Sequence, residues 1–213
     1  MKVLIFRHGI AEPRIDGLDD PNRQLTRQGY GRTQLAVIGL TRLMRPVDLI
    51  LTSPYTRAEQ TAKVLGLAMR RTPETLDALA ADRPARDTID AILHRVDTSI
   101  ALVGHNPQLE EIVTLLCGRD PRRKLTPISK AGAVLLRVKR YPEKPATLQW
   151  AMSPRVLRML ARRLPRQRPP FPMSKTDIEP LPPEPAPTPQ PTPPAPASPP
   201  HDPPADHTPP APQ

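Results

Sequence analysis

Arg7-His8-Gly9 follows directly on the apolar run Lys2-Val3-Leu4-Ile5-Phe6. Two later stretches are built the same way. Leu49-Ile50-Leu51-Thr52 leads into Ser53-Pro54-Tyr55-Thr56-Arg57, and Ile100-Ala101-Leu102-Val103 leads into Gly104-His105-Asn106-Pro107. Two arginines and two histidines gathered in one crevice suit phosphoryl transfer. A neutral imidazole attacks phosphorus in line and carries the group as phosphohistidine until water removes it. Guanidinium forks hold the phosphoryl oxygens. On this reading His8 is the nucleophile, Arg7 and Arg57 are the forks, and His105 is a cation that stabilises charge on the transferring group. Gly104 reads as a position of close backbone approach. The chemistry requires neither metal nor other cofactor, and the residues predict none: the two histidines lack a carboxylate cluster, and the arginines repel a cation.

These residues meet only if the three apolar runs are neighbouring strands whose carboxyl ends share one edge, where open α/β sheets bind ligands. Residues 2–6, 48–52 and 100–103 have the β-branched, apolar character of buried strands. Residues 10–24 form a polar loop. Thr26 then caps a helix running to about Met44. A second helix spans about 55–67 and opens on Ser53-Pro54, which places Arg57 near its positive N-terminus. Residues 70–86 follow no period. Residues 86–96 have helical spacing, Pro107 starts a helix to about Cys117, and residues 133–138 and 147–151 read as two further strands. A basic helix begins at Pro154. The alternation predicts an α/β fold, a three-layer α/β/α sandwich around a mostly parallel central sheet.

Arg7-His8-Gly9, Ser53-Pro54-x-x-Arg57-Ala58-x-Gln60-Thr61-Ala62 and Gly104-His105 together resemble the motifs of the histidine phosphatase (phosphoglycerate-mutase-like) superfamily. The short SixA type of phosphohistidine phosphatase is the nearest likeness. Leu25-Thr26-x-x-Gly29, Ala131-Gly132-Ala133 and Trp150-Ala151-Met152-Ser153-Pro154 extend the similarity over roughly residues 1–160. The resemblance implies the phosphoglycerate-mutase-like fold and the same nucleophilic role for His8. Many superfamily members carry a glutamate general acid after the second helix, for an alcohol leaving group. Here Ala78 falls at that place, with Asp77 the candidate replacement and Asp82 and Glu74 nearby. Without such an acid, phosphohistidine is the favoured substrate, because its imidazole leaves readily once protonated. Arg23, in the loop after the first strand, is a candidate for a second anionic group.

Composition divides the chain into a domain of residues 1–164 and a proline-rich tail of residues 165–213. The tail has almost no large apolar residues, so the sequence predicts disorder with polyproline II bias. Residues 169–213 hold one basic residue, Lys175, and five acidic ones, a net of −4, which leaves +14 on residues 1–168 out of a chain total of +10. Basic clusters at 119–124 and 155–168 suit an acidic partner such as a phosphotransfer protein. No aromatics interleave with them, which argues against nucleic acid. The lone Cys117 forms no internal disulfide, and no run reaches the ~20 apolar residues of a membrane span. The start does not read as a signal peptide, and the expected compartment is cytoplasmic. Three functions remain in view: removal of phosphate from phosphohistidine on a signalling protein, hydrolysis of a small phosphomonoester or pyrophosphate, and a catalytically idle interaction protein whose tail binds proline-recognising modules.

Overall fold

The computed structural model describes residues 1–163 apart from 16, 18 and 121, so the predicted tail lies outside the described residues. Six strands form one sheet in the order β3-β2-β4-β1-β5-β6. Four of them, β1 (Lys2–Arg7), β4 (Ser99–Gly104), β2 (Leu49–Thr52) and β3 (Glu74–Thr75), are parallel. Then β5 (Ala133–Arg137) and β6 (Thr147–Met152) add antiparallel strands on the far side of β1.

Strand alternation builds the layers. Val3 and Ile5 of β1 face one core with Ile100 and Leu102, and that core is covered by α3 (Ala85–Leu93) through Ile89 and Ile92 and by α4 (Gln108–Leu116) through Leu109 and Ile112. Leu4 and Phe6 face the other core with Ile50 and Val103. That side is covered by α1 (Arg27–Leu40), α2 (Thr56–Met69) and α5 (Pro154–Arg163), through Val37, Leu65 and Leu157 among others. The three-layer sandwich is therefore as the sequence predicts. The sheet buries both faces of β1, β2 and β4, which explains why these strands read as unbroken apolar runs.

Several boundaries differ from expectation. The Thr26 hydroxyl accepts from the Gly29 N–H at 2.9 Å and caps α1, but the helix stops at Leu40 instead of Met44. Leu43 and Met44 continue as turns bonded back to Leu40. The third helix ends at Leu93, and Val96, assigned to its apolar face, is 97% exposed. Residues 70–86 contain the two-residue strand β3 and a 3-10 helix, Asp77–Leu79, both too short to show a period. Trp150 lies on β6 and packs partly buried against the second core. Among the described residues, no helix is long and apolar enough to cross a membrane.

Candidate active site

Register brings the three motifs together. Arg7 pairs with Gly104 across β1 and β4, and Thr52 pairs with Val103 across β4 and β2. The next residues, His8, His105 and Ser53, therefore leave the sheet side by side. The His8 and His105 ring centroids are 4.9 Å apart, and the Tyr55 ring lies 5.0 Å from that of His105. The His8 N–H is bonded to the Gly104 carbonyl at 3.1 Å, so the two motifs share a backbone contact.

His8 is 6% exposed. Its Nδ1–H donates to the Gly9 carbonyl at 2.7 Å, which fixes the tautomer and leaves the Nε2 lone pair for chemistry. Burial is the main cause that lowers its pKa to about 2, with the charges of His105, Arg57 and Arg7 acting in the same direction. The ring is therefore neutral, the form that the nucleophilic role expected of it requires. Gly9 is required here for close packing: a Cβ would stand 2.3 Å from the Thr33 hydroxyl. Gly104, by contrast, would leave its Cβ no closer than 3.4 Å to Leu109, so the close approach expected there belongs to Gly9 instead.

His105 is 2% exposed, and its Nε2 shares a hydrogen bond of 2.8 Å with the Ser53 hydroxyl. Burial, reinforced by Arg57, lowers its pKa to about 3 against the opposing pull of Asp19. His105 is therefore neutral near pH 7 in this structure, and the cation expected of it is one that faces a transferring phosphoryl group. The physical reason is that burial and the neighbouring arginines outweigh the pull of Asp19.

Arg57 sits in the first turn of α2 and is 2% exposed. Its Nη2 donates to both Asp19 carboxylate oxygens, at 2.8 and 3.0 Å, its Nη1 to the Asp20 carbonyl, and its guanidinium lies over the Tyr55 ring. Arg23 joins this cluster by pairing with Asp19, and Arg14 approaches the same carboxylate at 3.7 Å. Burial opposes ionisation of Asp19, but the Arg23 hydrogen bond and the three arginine charges outweigh it and lower its pKa.

Arg7 is held from below. Its Nη1 donates to the Ile128 carbonyl at 2.8 Å, and the Asn106 amide donates to that same carbonyl. Glu110, buried in α4, accepts from the Ile128 N–H at 3.0 Å and from Asn106, and pairs with Lys124 at 2.8 Å. Among the buried side-chain polar atoms that find no hydrogen-bond partner in the protein are Nε of Arg7, Arg23 and Arg57 and Nδ1 of His105. Such groups are rare in folded proteins, and here they fall on residues expected to bind an oxyanion.

The structure thus brings Arg7, His8, Arg57, His105 and Arg23 to one place. Asp77 is exposed on the 3-10 helix, and no hydrogen bond or ion pair among the described residues ties it to them. Asp82 is the acid of that region whose charge reaches the site, since it helps raise the pKa of Tyr55, after burial. Sequence reasoning passed over Ser53 and Tyr55, both inside the second motif, and over Asp19 and Glu110. The last two carried no signal because the contacts that tie them to the site are distant in the chain, Asp19 to Arg57 across 38 residues and Glu110 to Ile128 across 18.

No protein-family model matches the chain. An uncharacterized protein of Picosynechococcus sp. is 37% identical over 142 residues, covering 64% of this chain and 85% of the relative. The phosphohistidine phosphatase SixA of Escherichia coli K12 is 27% identical over 165 residues, 75% of this chain and 98% of the relative. A solved structure of the protein histidine phosphatase SixA complexed with tungstate superposes with a TM-score of 0.62 at 25% identity, covering 74% of this chain and 99% of that one. Sequence relationship over nearly the whole length of SixA and a shared fold lead to one placement: the chain is a SixA homologue and belongs to the histidine phosphatase (phosphoglycerate-mutase-like) superfamily, a hydrolase of the phosphatase kind.

Proposed function

We propose that the protein removes phosphate from phosphohistidine on another protein, by a covalent intermediate on His8 and without a metal. The observation that carries this reading is the Nδ1–H bond from His8 to Gly9, which leaves a neutral Nε2 among three arginines and His105. Nε2 attacks phosphorus, the substrate's P–N bond breaks, and its electron pair returns to the substrate imidazole, which leaves neutral if its other nitrogen carries a proton. His8 then bears the phosphoryl group on Nε2 while Nδ1–H stays bonded to the Gly9 carbonyl, which stabilises the imidazolium character of the intermediate. Water attacks next, the P–Nε2 bond breaks, the pair returns to His8, and the proton of water goes to the departing phosphate.

Arg7 and Arg57 supply forked donors, and the N-terminus of α2 adds partial positive charge beneath them. The dianionic phosphoryl group places an anion against His105, so binding raises its pKa and recruits it as a donor. The named activity of the Escherichia coli relative supports phosphohistidine as the substrate.

Asp82, near Tyr55, favours a second reading, hydrolysis of a small phosphomonoester with Asp82 as the acid. Turnover of a phosphohistidine protein and of a phosphomonoester panel, both in the presence of a chelator, separates the two. The first reading predicts kcat/KM at least about 100-fold higher on phosphohistidine, the size of a typical general-acid contribution that the ester would forgo. A preference for an ester that is lost in Asp82→Asn would contradict it.

A further inference from the structure

Beside the proposed catalytic histidine lies a second cationic feature, which shares Arg7 with the oxyanion cluster. A cleft of about 430 Å³ runs between α1, the start of α5 and the turn before β5, and four cations line it: Arg7, Arg32, Lys130 and Arg158. Ser129 and Thr33 also border it, and no carboxylate does. Arg32, Lys130 and Arg158 form none of the ion pairs found among the described residues. Like charges gathered without a counter-ion repel one another. Burial lowers the pKa of Arg158, with the charges of Arg32 and Arg162 adding to the effect. Burial likewise lowers that of Lys130, with Arg7 and three further arginines contributing.

The backbone builds this cluster. A Cβ on Gly39 would stand 1.9 Å from the Leu157 carbonyl, so α1 and α5 pack main chain to main chain. Arg32 is two turns before Gly39 on the same face of α1, and Arg158 follows Leu157 on α5, so the close crossing sets the two arginines on one cleft. Lys130 is fastened to the catalytic strand: the next residue, Ala131, donates its N–H to the carbonyls of Arg7 and His8 at 3.0 and 3.1 Å. Arg7 belongs to both the cleft and the phosphoryl site.

We infer that this cleft binds acidic side chains flanking the phosphohistidine of a protein substrate, and so selects an acidic phosphoprotein over a small phosphate compound. The inference rests on the phosphohistidine reading above for its catalytic test, though not for its binding test. The volume is room for on the order of ten water molecules, more than a single phosphate fills. No aromatic side chain lines the cleft to stack a base, which separates it from a nucleic-acid surface.

The experiment compares two phosphohistidine peptides, one flanked by aspartates and one by serines, at low salt. The wild-type protein is expected to favour the acidic peptide about tenfold in kcat/KM, the worth of two or three exposed charge pairs. The Arg32→Ala, Arg158→Ala double variant should bring that ratio near one, and the corresponding glutamate variant should invert it. Because each variant is scored by its own ratio, a general loss of folded protein cannot imitate the result. A wild-type ratio near one, or a ratio the substitutions leave unchanged, would overturn the inference. If neither peptide is turned over, the phosphohistidine reading fails, but fluorescence anisotropy with an unphosphorylated aspartate-rich peptide still tests the cleft. Binding that weakens about tenfold in the double variant supports the inference. Absent or unaltered binding, or stronger binding of a single-stranded oligonucleotide, overturns it.

Discussion

At the level of single residues, one hydrogen bond decides most of the chemistry. With Nδ1–H committed to Gly9, His8 has only Nε2 to offer, and burial keeps that nitrogen unprotonated. The four residues of the predicted phosphoryl site were legible because each sits in a motif beside an apolar strand. The neutral form of His105 in this structure was not legible, since it depends on burial by residues distant in the chain. Nuclear magnetic resonance of labelled imidazoles tests this directly. Both site rings should keep the neutral form from pH 8 to 5, and addition of tungstate should shift His105 alone towards the charged form. A His105 ring already cationic at pH 7 without the oxyanion would contradict the account.

At the level of elements, three parallel strand ends and one buried carboxylate position the site. Glu110 reaches the site through Arg7. It holds the Ile128 peptide, whose carbonyl anchors Arg7, so it is a positioning residue. Glu110→Ala leaves the Ile128 N–H without its acceptor and takes one of two acceptors from the Asn106 amide, a cost of about 1–3 kcal/mol in stability. It should also weaken tungstate binding and lower kcat/KM about tenfold, as expected for about 1.4 kcal/mol of lost alignment at Arg7. Glu110→Gln, which keeps an acceptor, should restore most of both. Unchanged tungstate affinity beside a lower unfolding midpoint would reduce Glu110 to a structural part. None of this network is visible along the chain, because Glu110 meets Ile128 across 18 residues and Ile128 meets Arg7 across 121. Elements were legible where they were long and buried. The errors fell at Met44, which packs on the second core from the turns after α1, at Val96, an exposed apolar residue that continues the spacing of α3, and at β3, whose two residues are both exposed.

For the molecule as a whole, the same burial that readies the site makes it acid-sensitive. Near pH 7, His8 and His105 are neutral in the folded protein, and imidazoles in the unfolded chain are mostly so. Below the unfolded value of about 6.5 the unfolded chain takes up protons that the folded site, with values of about 2 and 3, refuses. Stability therefore falls with falling pH, by up to about 1.4 kcal/mol per pH unit for each ring. Urea midpoints measured from pH 7 to 4 should drop more steeply in the wild type than in a His8→Asn, His105→Asn variant; parallel slopes would contradict the buried-neutral assignment. The central claim is the phosphoryl group on His8, and mass spectrometry of enzyme quenched in alkaline denaturant during turnover tests it most directly. The account predicts a mass increase of one phosphoryl group, mapped to His8 and absent from His8→Ala, which should also fail to turn over. A phosphoryl group on any other residue, or a His8→Ala protein that still releases phosphate, would contradict it.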